Sequence, residues 1–190
     1  MKSKKLSLIG ILGGFLLVIS LAYAGVLSYY GKIVGTASIQ PPIFYADSTS
    51  LGGVYYKMKI NEAGTGSVTL QDGGRILFVT DPLGISSWYP TKWNVYIKVF
   101  TPDTGGGLSA IRIKKVSQNF LTEYTICEWT GISLKSGENS IQNTCTPEQV
   151  NFDTTERLGL EIVGAGTLTY TIFTDGSTRI LFEVLKEVSK

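Results

Sequence analysis

Residues 166–173 read GTLTYTIF, in which Leu168, Tyr170 and Ile172 alternate with three threonines. Successive side chains of a β-strand point to opposite faces of a sheet, so this period of two predicts a strand with one buried face and one exposed face. Similar apolar runs recur along the chain. They predict further strands at 54–60, 75–80, 93–99, 110–114, 157–163 and 178–188, the last of which is alternatively a short helix.

Clusters of turn-forming residues separate these runs about every ten residues. Two of them, Asp72-Gly73-Gly74 and Asp175-Gly176, are typical of tight β-hairpins. Short strands at such spacing indicate an all-β jelly roll or sandwich, because each strand must bury its apolar face against a second layer. We therefore expect one all-β domain over residues 43–190.

The N-terminus has the three parts of an export signal. Lys2, Lys4 and Lys5 precede an uncharged apolar run over residues 6–27, and Ala22-Tyr23-Ala24 supplies small residues at its end. This pattern predicts a signal peptide over residues 1–24, cleaved after Ala24. The alternative is an uncleaved anchor helix over about 6–27, since a run of this length is long enough to span a bilayer. Both interpretations predict a secreted or cell-surface protein.

Composition excludes several classes of function. The three leader lysines belong to a total of 17 basic residues, and subtracting them leaves 14 against 15 acidic residues, which argues against nucleic-acid binding. The chain has no histidine, so neither an H-E-x-x-H metal site nor a Ser-His-Asp triad is possible. We expect no catalytic residue, no metal site and no cofactor. The basic run Arg112, Lys114 and Lys115 is interpreted as a solvated, charged edge-strand face.

Two local features leave alternatives open. Cys127 and Cys145 are the two cysteines, and export favours one disulfide between them, which would stabilise the domain by about 3 kcal/mol; the alternative is a pair of unpaired buried thiols. The aromatic cluster formed by residues 88–90 and Trp93 either caps the core or exposes rings that stack on a sugar or a partner protein.

The segment after the leader, residues 26–40, reads VLSYYGKIVGTASIQ and alternates along its length, with Val34 as the exception on the polar face. At about 3.3 Å per residue it would extend over about 40 Å, and such a strand must bury its apolar face against a sheet. The following Pro41-Pro42 ends the ladder because proline has no N–H to donate. The small or apolar face comprises Leu27, Tyr29, Gly31, Ile33, Gly35, Ala37 and Ile39.

Two burials of this strand are possible. It is either the first strand of its own domain or a donor strand that completes the sheet of a neighbouring copy. Head-to-tail donation is heterologous, so it propagates into a filament unless it closes into a ring. Periodicity alone does not distinguish the two.

Residues 21–39, LAYAGVLSYYGKIVGTASI, resemble the opening of TasA/camelysin-type exported proteins. The shared features are an apolar leader, an aromatic pair (Tyr29-Tyr30) and a strand with a Gly-Thr-Ala step (Gly35-Thr36-Ala37). The resemblance implies a jelly-roll subunit of a biofilm-matrix fibre, similar to archaeal bundling-pilus and thread subunits, which polymerise by donating the N-terminal strand. The expected partner is then a second copy of this chain, with membrane contact before processing. The alternative is a membrane-anchored surface domain that binds a protein or carbohydrate through its loops.

Overall fold

The computed structural model describes residues 41–71, 73–84, 86–88, 92–102 and 106–183. The leader or anchor expected within residues 1–27 and the strand at 26–40 lie outside these residues. The described chain is all-β, and within it there is no helix of the length and apolarity needed to span a membrane. The strands are β1 (Ile43–Gly52), β2 (Tyr55–Ile60), β3 (Ser67–Leu70), β4 (Arg75–Val79), β5 (Ser86–Trp88), β6 (Lys92–Thr101), β7 (Gly107–Val116), β8 (Glu123–Ser133), β9 (Gly137–Cys145), β10 (Val150–Phe152), β11 (Arg157–Gly164), β12 (Tyr170–Phe173) and β13 (Arg179–Glu183).

Eleven of these strands form one sheet, in the order β3-β12-β6-β13-β1-β2-β4-β11-β7-β8, with β9 paired to β6. Neighbouring strands are antiparallel, except that β2 and β4 run parallel. The remaining two, β5 and β10, form a small antiparallel pair. The register between β1 and β2 shifts after Ala46 and again after Ser50, which is the pattern of bulges that bend a sheet.

One hydrophobic core lies between the two halves of this sheet. Val95 and Ile97 of β6 belong to the same buried cluster as Leu160 and Ile162 of β11, although these strands lie several positions apart in the sheet. The sheet therefore folds back on itself in a sandwich-like arrangement. Alternation in β6 and β11 places these apolar side chains on the inner face.

Trp93 belongs to this core. It is completely buried, and its ring meets Phe182 edge-on at a centroid distance of 4.5 Å. Phe182 in turn meets Phe44 edge-on at 5.3 Å. For Trp93 the core interpretation of the aromatic cluster is therefore correct, because the ring is fully buried and packs against other core rings.

Most predicted strands are confirmed, with boundaries shifted by at most three residues at either end. The exception is 166–173, the segment with the clearest alternation, where the strand begins only at Tyr170. Gly166 has a φ of +69°, and the Tyr170 hydroxyl donates a hydrogen bond of 2.7 Å to the carbonyl of Ala165. This bond closes residues 165–170 into a turn, so the alternating threonines there do not form a ladder. Residues 179–183 of the last predicted element form a strand, as the first interpretation had it.

Both hairpin predictions are wrong. The turn at 71–74 exists, since the Gly74 amide donates to the Gln71 carbonyl at 2.7 Å. However, β3 pairs with β12, whereas β4 pairs with β2 and β11. The two flanking strands therefore do not pair with each other. Likewise β12 and β13, on either side of Asp175-Gly176, both pair with β6. A turn signal reports a local reversal of the chain, whereas the choice of partner strand depends on residues far away in sequence.

Candidate functional site

The residues expected to form the donor-strand face and the signal cleavage site lie outside the described part of the chain. These are Leu27, Tyr29, Gly31, Ile33, Gly35, Ala37 and Ile39 of the strand, and Ala22 and Ala24 of the leader. What the structure does describe is the domain that would receive such a strand. Such a strand would pair with a strand that lies at an edge of the described sheet.

Two long edge strands, β8 and β9, follow each other along the chain. Among the described strands, β8 pairs with β7 and β9 pairs with β6, and only residues 134–136 connect them. Strands joined by so short a link usually pair as a hairpin, but these two lie at the edges of opposite halves of the sheet. Within the described residues, each leaves one row of backbone N–H and C=O groups without a strand partner. We call the gap between β8 and β9 the seam.

A disulfide crosses the seam. Cys127 of β8 and Cys145 of β9 are bonded, with their Cα atoms 6.4 Å apart. Residues 134–136 join the end of β8 to the start of β9, so the two strands are covalently tied there and again between Cys127, inside β8, and Cys145, the last residue of β9. The separation between the two edges is therefore held by covalent bonds rather than by ladder hydrogen bonds.

The inner face of the seam is apolar on both strands. Trp129 and Ile132 of β8 lie opposite the buried Ile111 and Leu108 of β7, and Ile141 of β9 lies opposite Ile97. Trp129, Ile132 and Ile141 pack on the core but are themselves only partly buried. The seam thus leaves the margin of the core accessible between two unpaired edges.

Two asparagines share the inner face of β9 with Ile141. Asn139 is satisfied within its own chain: its side-chain nitrogen donates to the carbonyls of Lys135 and Gly137, at 2.8 and 3.0 Å. The side-chain nitrogen of Asn143, opposite the fully buried Val95, is buried and has no hydrogen-bond partner among the described residues. An unsatisfied buried N–H is unusual, because it loses its water without gaining another acceptor.

An open cleft lies at the end of β8 beyond the disulfide. Its volume is about 390 Å³, and its lining includes Tyr124, Ile126 and Val150. Tyr124 is 65% exposed. The apolar margin of the seam therefore continues past Cys127 toward the short strand β10.

A cluster of charged side chains covers the outer face of β4, β11 and β7. Glu161, only 1% exposed, binds Arg75 and Arg112 at 2.8 Å each and Lys114 at 3.0 Å. Glu123 of β8 binds Arg75 at 2.9 Å and Lys114 at 2.7 Å. The interpretation of the basic run as a solvated edge-strand face is thus wrong for Lys114, which is 7% exposed on a strand paired on both sides.

These carboxylates are held in the charged form. Burial by itself would raise the pKa of Glu123, but hydrogen bonds from Arg75 and Lys114 outweigh it and lower the pKa to about 2. For Glu161 burial likewise opposes ionisation, and hydrogen bonds from Arg112, Lys114 and Arg75 again lower the pKa. A carboxylate kept ionised by several cations is a hydrogen-bond acceptor and not a proton donor, so the cluster has the chemistry of a structural network.

A second surface of interest is the outer face of β6 and β9. The Arg179 guanidinium lies 4.6 Å above the ring of Tyr96, and the Gln142 amide donates to the Tyr96 hydroxyl at 3.3 Å. Phe100, four residues further along β6 and on the same face as Tyr96, is 39% exposed. Partly exposed rings beside amide and guanidinium groups can stack on a sugar or an aromatic partner.

No family model and no curated protein match this chain. Solved structures do. One is a CocE/NonD family hydrolase from Staphylococcus aureus, with a TM-score of 0.55, 10% identity, and coverage of 78% of this chain and 37% of that one. Another is an aminopeptidase from a marine sediment archaeon, Thaumarchaeota archaeon, with a TM-score of 0.50, 6% identity, and coverage of 76% and 37%.

The likeness is one of fold. This chain spans little more than a third of either protein, and at such identity no residue role is transferred. In the part of the chain that the structure describes, no three His, Cys, Asp or Glu side chains gather as a metal site would require.

Sequence reasoning did not find the two strands that form the seam. In β8, a bulge opposite Ile113 and Lys114 interrupts the alternation of apolar and polar residues. In β9, asparagines occupy two of the inward positions, so the inward face does not read as apolar. The available signal was the pair Cys127 and Cys145: a disulfide between two segments requires their Cα atoms to lie within about 7 Å of each other.

Proposed function

We propose that this chain is a structural subunit of an extracellular filament, a pilus or a biofilm-matrix fibre, in which residues 26–40 of one copy complete the sheet of the next. The observation that carries the proposal is the seam: two long edges that have no strand partner among the described residues, with a partly exposed apolar margin between them. Residues 26–40 have what such a seam lacks, namely a strand with one apolar face and free backbone hydrogen-bonding groups.

The edges and the donor segment have comparable lengths. β9 has nine residues and β8 has eleven, which corresponds to about 30–36 Å at 3.3 Å per residue, and the disulfide lies within β8, at Cys127. The alternating face of residues 27–39 covers about 40 Å on the same basis. Pro41 and Pro42 then stand between that strand and β1, which begins at Ile43, so ladder pairing is interrupted before the domain starts.

The energetics favour such an exchange. Each ladder hydrogen bond contributes about 0.5–1.5 kcal/mol, and each large apolar side chain that becomes buried contributes about 1.5–3 kcal/mol. Since a chain that donates a strand at one site and accepts one at another makes a heterologous contact, repetition extends a filament. The disulfide across the seam suits an oxidising compartment, which supports a secreted or cell-surface location. Within this proposal the domain is a jelly roll or sandwich without catalytic activity.

A second candidate is favoured by the Tyr96 surface. If residues 6–27 stay in the membrane and residues 26–40 pair within their own sheet, the protein is a tethered surface domain. The ring of Tyr96 with Arg179 and Gln142 would then contact a protein or a carbohydrate. This candidate needs no second copy of the chain.

Imaging of the exported protein separates the two candidates. We expect the intact chain to form filaments under the electron microscope, with Gly25 as the first residue on N-terminal sequencing. A chain from which residues 26–40 are deleted should be exported and folded but should form none. Intact chains that retain residues 6–24 and stay monomeric at high concentration would contradict the filament proposal and support the tethered domain.

A further inference from the structure

We infer that the Tyr96 surface contains a binding cleft for a sugar ring that carries a carboxylate, the repeating unit of an acidic polysaccharide. The cleft lies on the outer face of β6, β9 and β13, and its volume is about 330 Å³. Its polar lining comprises Tyr96, Lys98, Ser140, Gln142, Ser177 and Arg179. The inference names a ligand class for the surface of the second candidate function, and it holds whether or not the chain forms filaments.

Strand pairing brings three of these side chains into one row. Arg179 of β13 lies directly opposite Tyr96 of β6, and Tyr96 lies directly opposite Gln142 of β9. Because neighbouring strands lie about 4.8 Å apart, the row spans about 10 Å across the sheet. A cation, a phenol and an amide are therefore within reach of one small ligand.

Arg179 supplies a positive charge that no carboxylate of the described residues neutralises. Its guanidinium stacks 4.6 Å above the Tyr96 ring and donates a 2.9 Å hydrogen bond to the Gly176 carbonyl. It forms no ion pair within the described part of the chain, whereas each of the other arginines does. A guanidinium has five N–H donors, and their planar arrangement matches the two oxygens of a carboxylate. Stacking on Tyr96 thus holds Arg179 in an orientation suited to such a ligand.

The second cation of the cleft is already paired. The Lys98 ammonium lies 3.0 Å from the Glu138 carboxylate and 4.9 Å from the centroid of the Phe173 ring. Asp175, in the turn before β13, also interacts electrostatically with Lys98. The cleft therefore has one unmatched positive charge, which fits one carboxylate per sugar unit. A nucleic acid would require several cations along its backbone.

The remaining groups suit a ligand that is rich in hydroxyls. The hydroxyls of Tyr96, Ser140 and Ser177 and the amide of Gln142 each provide both a donor and an acceptor. The hydroxyls of a sugar also donate and accept, whereas the side chains of an acidic peptide offer carboxylate acceptors alone. One cation surrounded by such groups is complementary to a uronic acid.

The test measures binding to the full chain by isothermal titration calorimetry. The probe is trigalacturonate, and its methyl ester is the matched ligand with the same rings but no charge. We expect trigalacturonate to bind at least about tenfold more tightly than the ester, because hydrogen bonds between charged groups are the strong ones. R179Q should lose this preference. R179K keeps the charge but not the planar fork, so its affinity should lie between those of R179Q and the wild type.

K57Q is the control variant. It removes one positive charge at an exposed position outside the cleft, where Lys57 pairs with Asp81 at 3.5 Å, so it should bind like the wild type. Urea unfolding verifies that each variant is folded, and the comparison of the two ligands needs no variant at all.

Equal binding of trigalacturonate and its ester by the wild type, no binding of either, or full affinity in a folded R179Q would show that Arg179 does not recognise a carboxylate on a sugar. Triglutamate that binds as tightly as trigalacturonate would assign the cleft to an acidic protein segment and overturn the inference. Filament formation is a separate readout by electron microscopy. Its failure would overturn the proposed function and leave the cleft assignment standing.

Discussion

Asp47 and Glu161 are almost fully buried and yet carry charge, each being 1% exposed. Asp47 accepts hydrogen bonds from the backbone amides of Thr49 and Thr65, at 3.0 and 3.3 Å, and lies 3.1 Å from the Lys59 ammonium. Burial alone would raise the pKa of Asp47, but the bonds from Thr49 and Lys59 lower it to about 2. At the scale of single residues, these carboxylates hold separate strands together, so their removal should lower the free energy of unfolding.

The first prediction concerns Glu161. Replacement by glutamine leaves Arg112 and Lys114 without the charge that both contact, and breaking a buried ion pair in this way typically costs about 3–5 kcal/mol. We expect E161Q to lower the free energy of unfolding in urea by about 3 kcal/mol. The control is E128Q, whose carboxylate pairs with Arg112 but is 43% exposed; it should change stability by less than about 1 kcal/mol. Equal losses in the two variants would contradict this account.

The second prediction concerns acid. The pKa values of Asp47 and Glu123 are both about 2 in the folded protein, below their ordinary values of 3.8 and 4.5. A depressed pKa contributes stability that is present above the unfolded value and is lost as pH falls toward the folded value. We expect urea midpoints to be level from pH 7 to about pH 5 and to fall between about pH 4.5 and 2. In D47N the fall should be smaller, and an unchanged pH profile in that variant would contradict the role of Asp47.

At the scale of elements, β8 and β9 distinguish this domain from a closed sandwich. They are consecutive strands that do not pair, and the disulfide between Cys127 and Cys145 holds them at a defined separation. Long unpaired edges are a liability in a soluble protein, because they template pairing with other chains. A polymer-forming subunit makes use of the same property, provided that the pairing is confined to one strand.

The third prediction concerns this disulfide. The double variant C127S/C145S should unfold at lower urea concentration, by about 3 kcal/mol in the chain-entropy account, because the link no longer restricts the unfolded chain. Its filaments should also form less readily, since β8 and β9 are then tied at one end only. Unfolding curves and electron microscopy, each with and without reductant, measure the two effects. The double variant serves as the control for reductant, because reductant should change only the wild type. Equal assembly of the two proteins would contradict a role of the disulfide in the seam.

At the scale of the whole molecule, the proposed filament makes donation and acceptance separate properties of one chain. Under this proposal, a copy that lacks residues 26–40 retains β8, β9 and the seam, so it would accept a strand but have none to donate. In a head-to-tail polymer such a copy ends growth in one direction. The tethered-domain alternative predicts no effect of this kind, because it involves no contact between copies.

The fourth prediction follows from this asymmetry. Adding the deletion variant to intact chains in increasing proportion should shorten filaments progressively, as measured by length distributions in electron micrographs. A deletion variant that also carries I141K should shorten them much less, because a charge on the inner face of β9 opposes strand acceptance. Filaments whose length is insensitive to the deletion variant would show that the seam does not accept residues 26–40.

Local pattern by itself determined that the domain is all-β and where most of its strands lie. Alternation in 54–60, 93–99 and 157–163 reports which side chains can share an apolar face, and that depends only on neighbours in sequence. It failed at 166–169, where the Tyr170 hydroxyl closes a turn onto Ala165. It also failed at β8 and β9, where a bulge and inward asparagines break the period.

Only the tertiary structure decided which strands pair, which edges stay open and which polar groups are left over. The Asp-Gly turns read as hairpins, but their flanking strands find partners elsewhere in the sheet. The sequence pattern predicts a solvated Lys114. In the structure Lys114 is buried, because Glu123 and Glu161 from other strands form ion pairs with it. The physical reason is the same in each case: strand pairing and charge pairing are contacts between residues distant in sequence, so their energies are not encoded in any one segment.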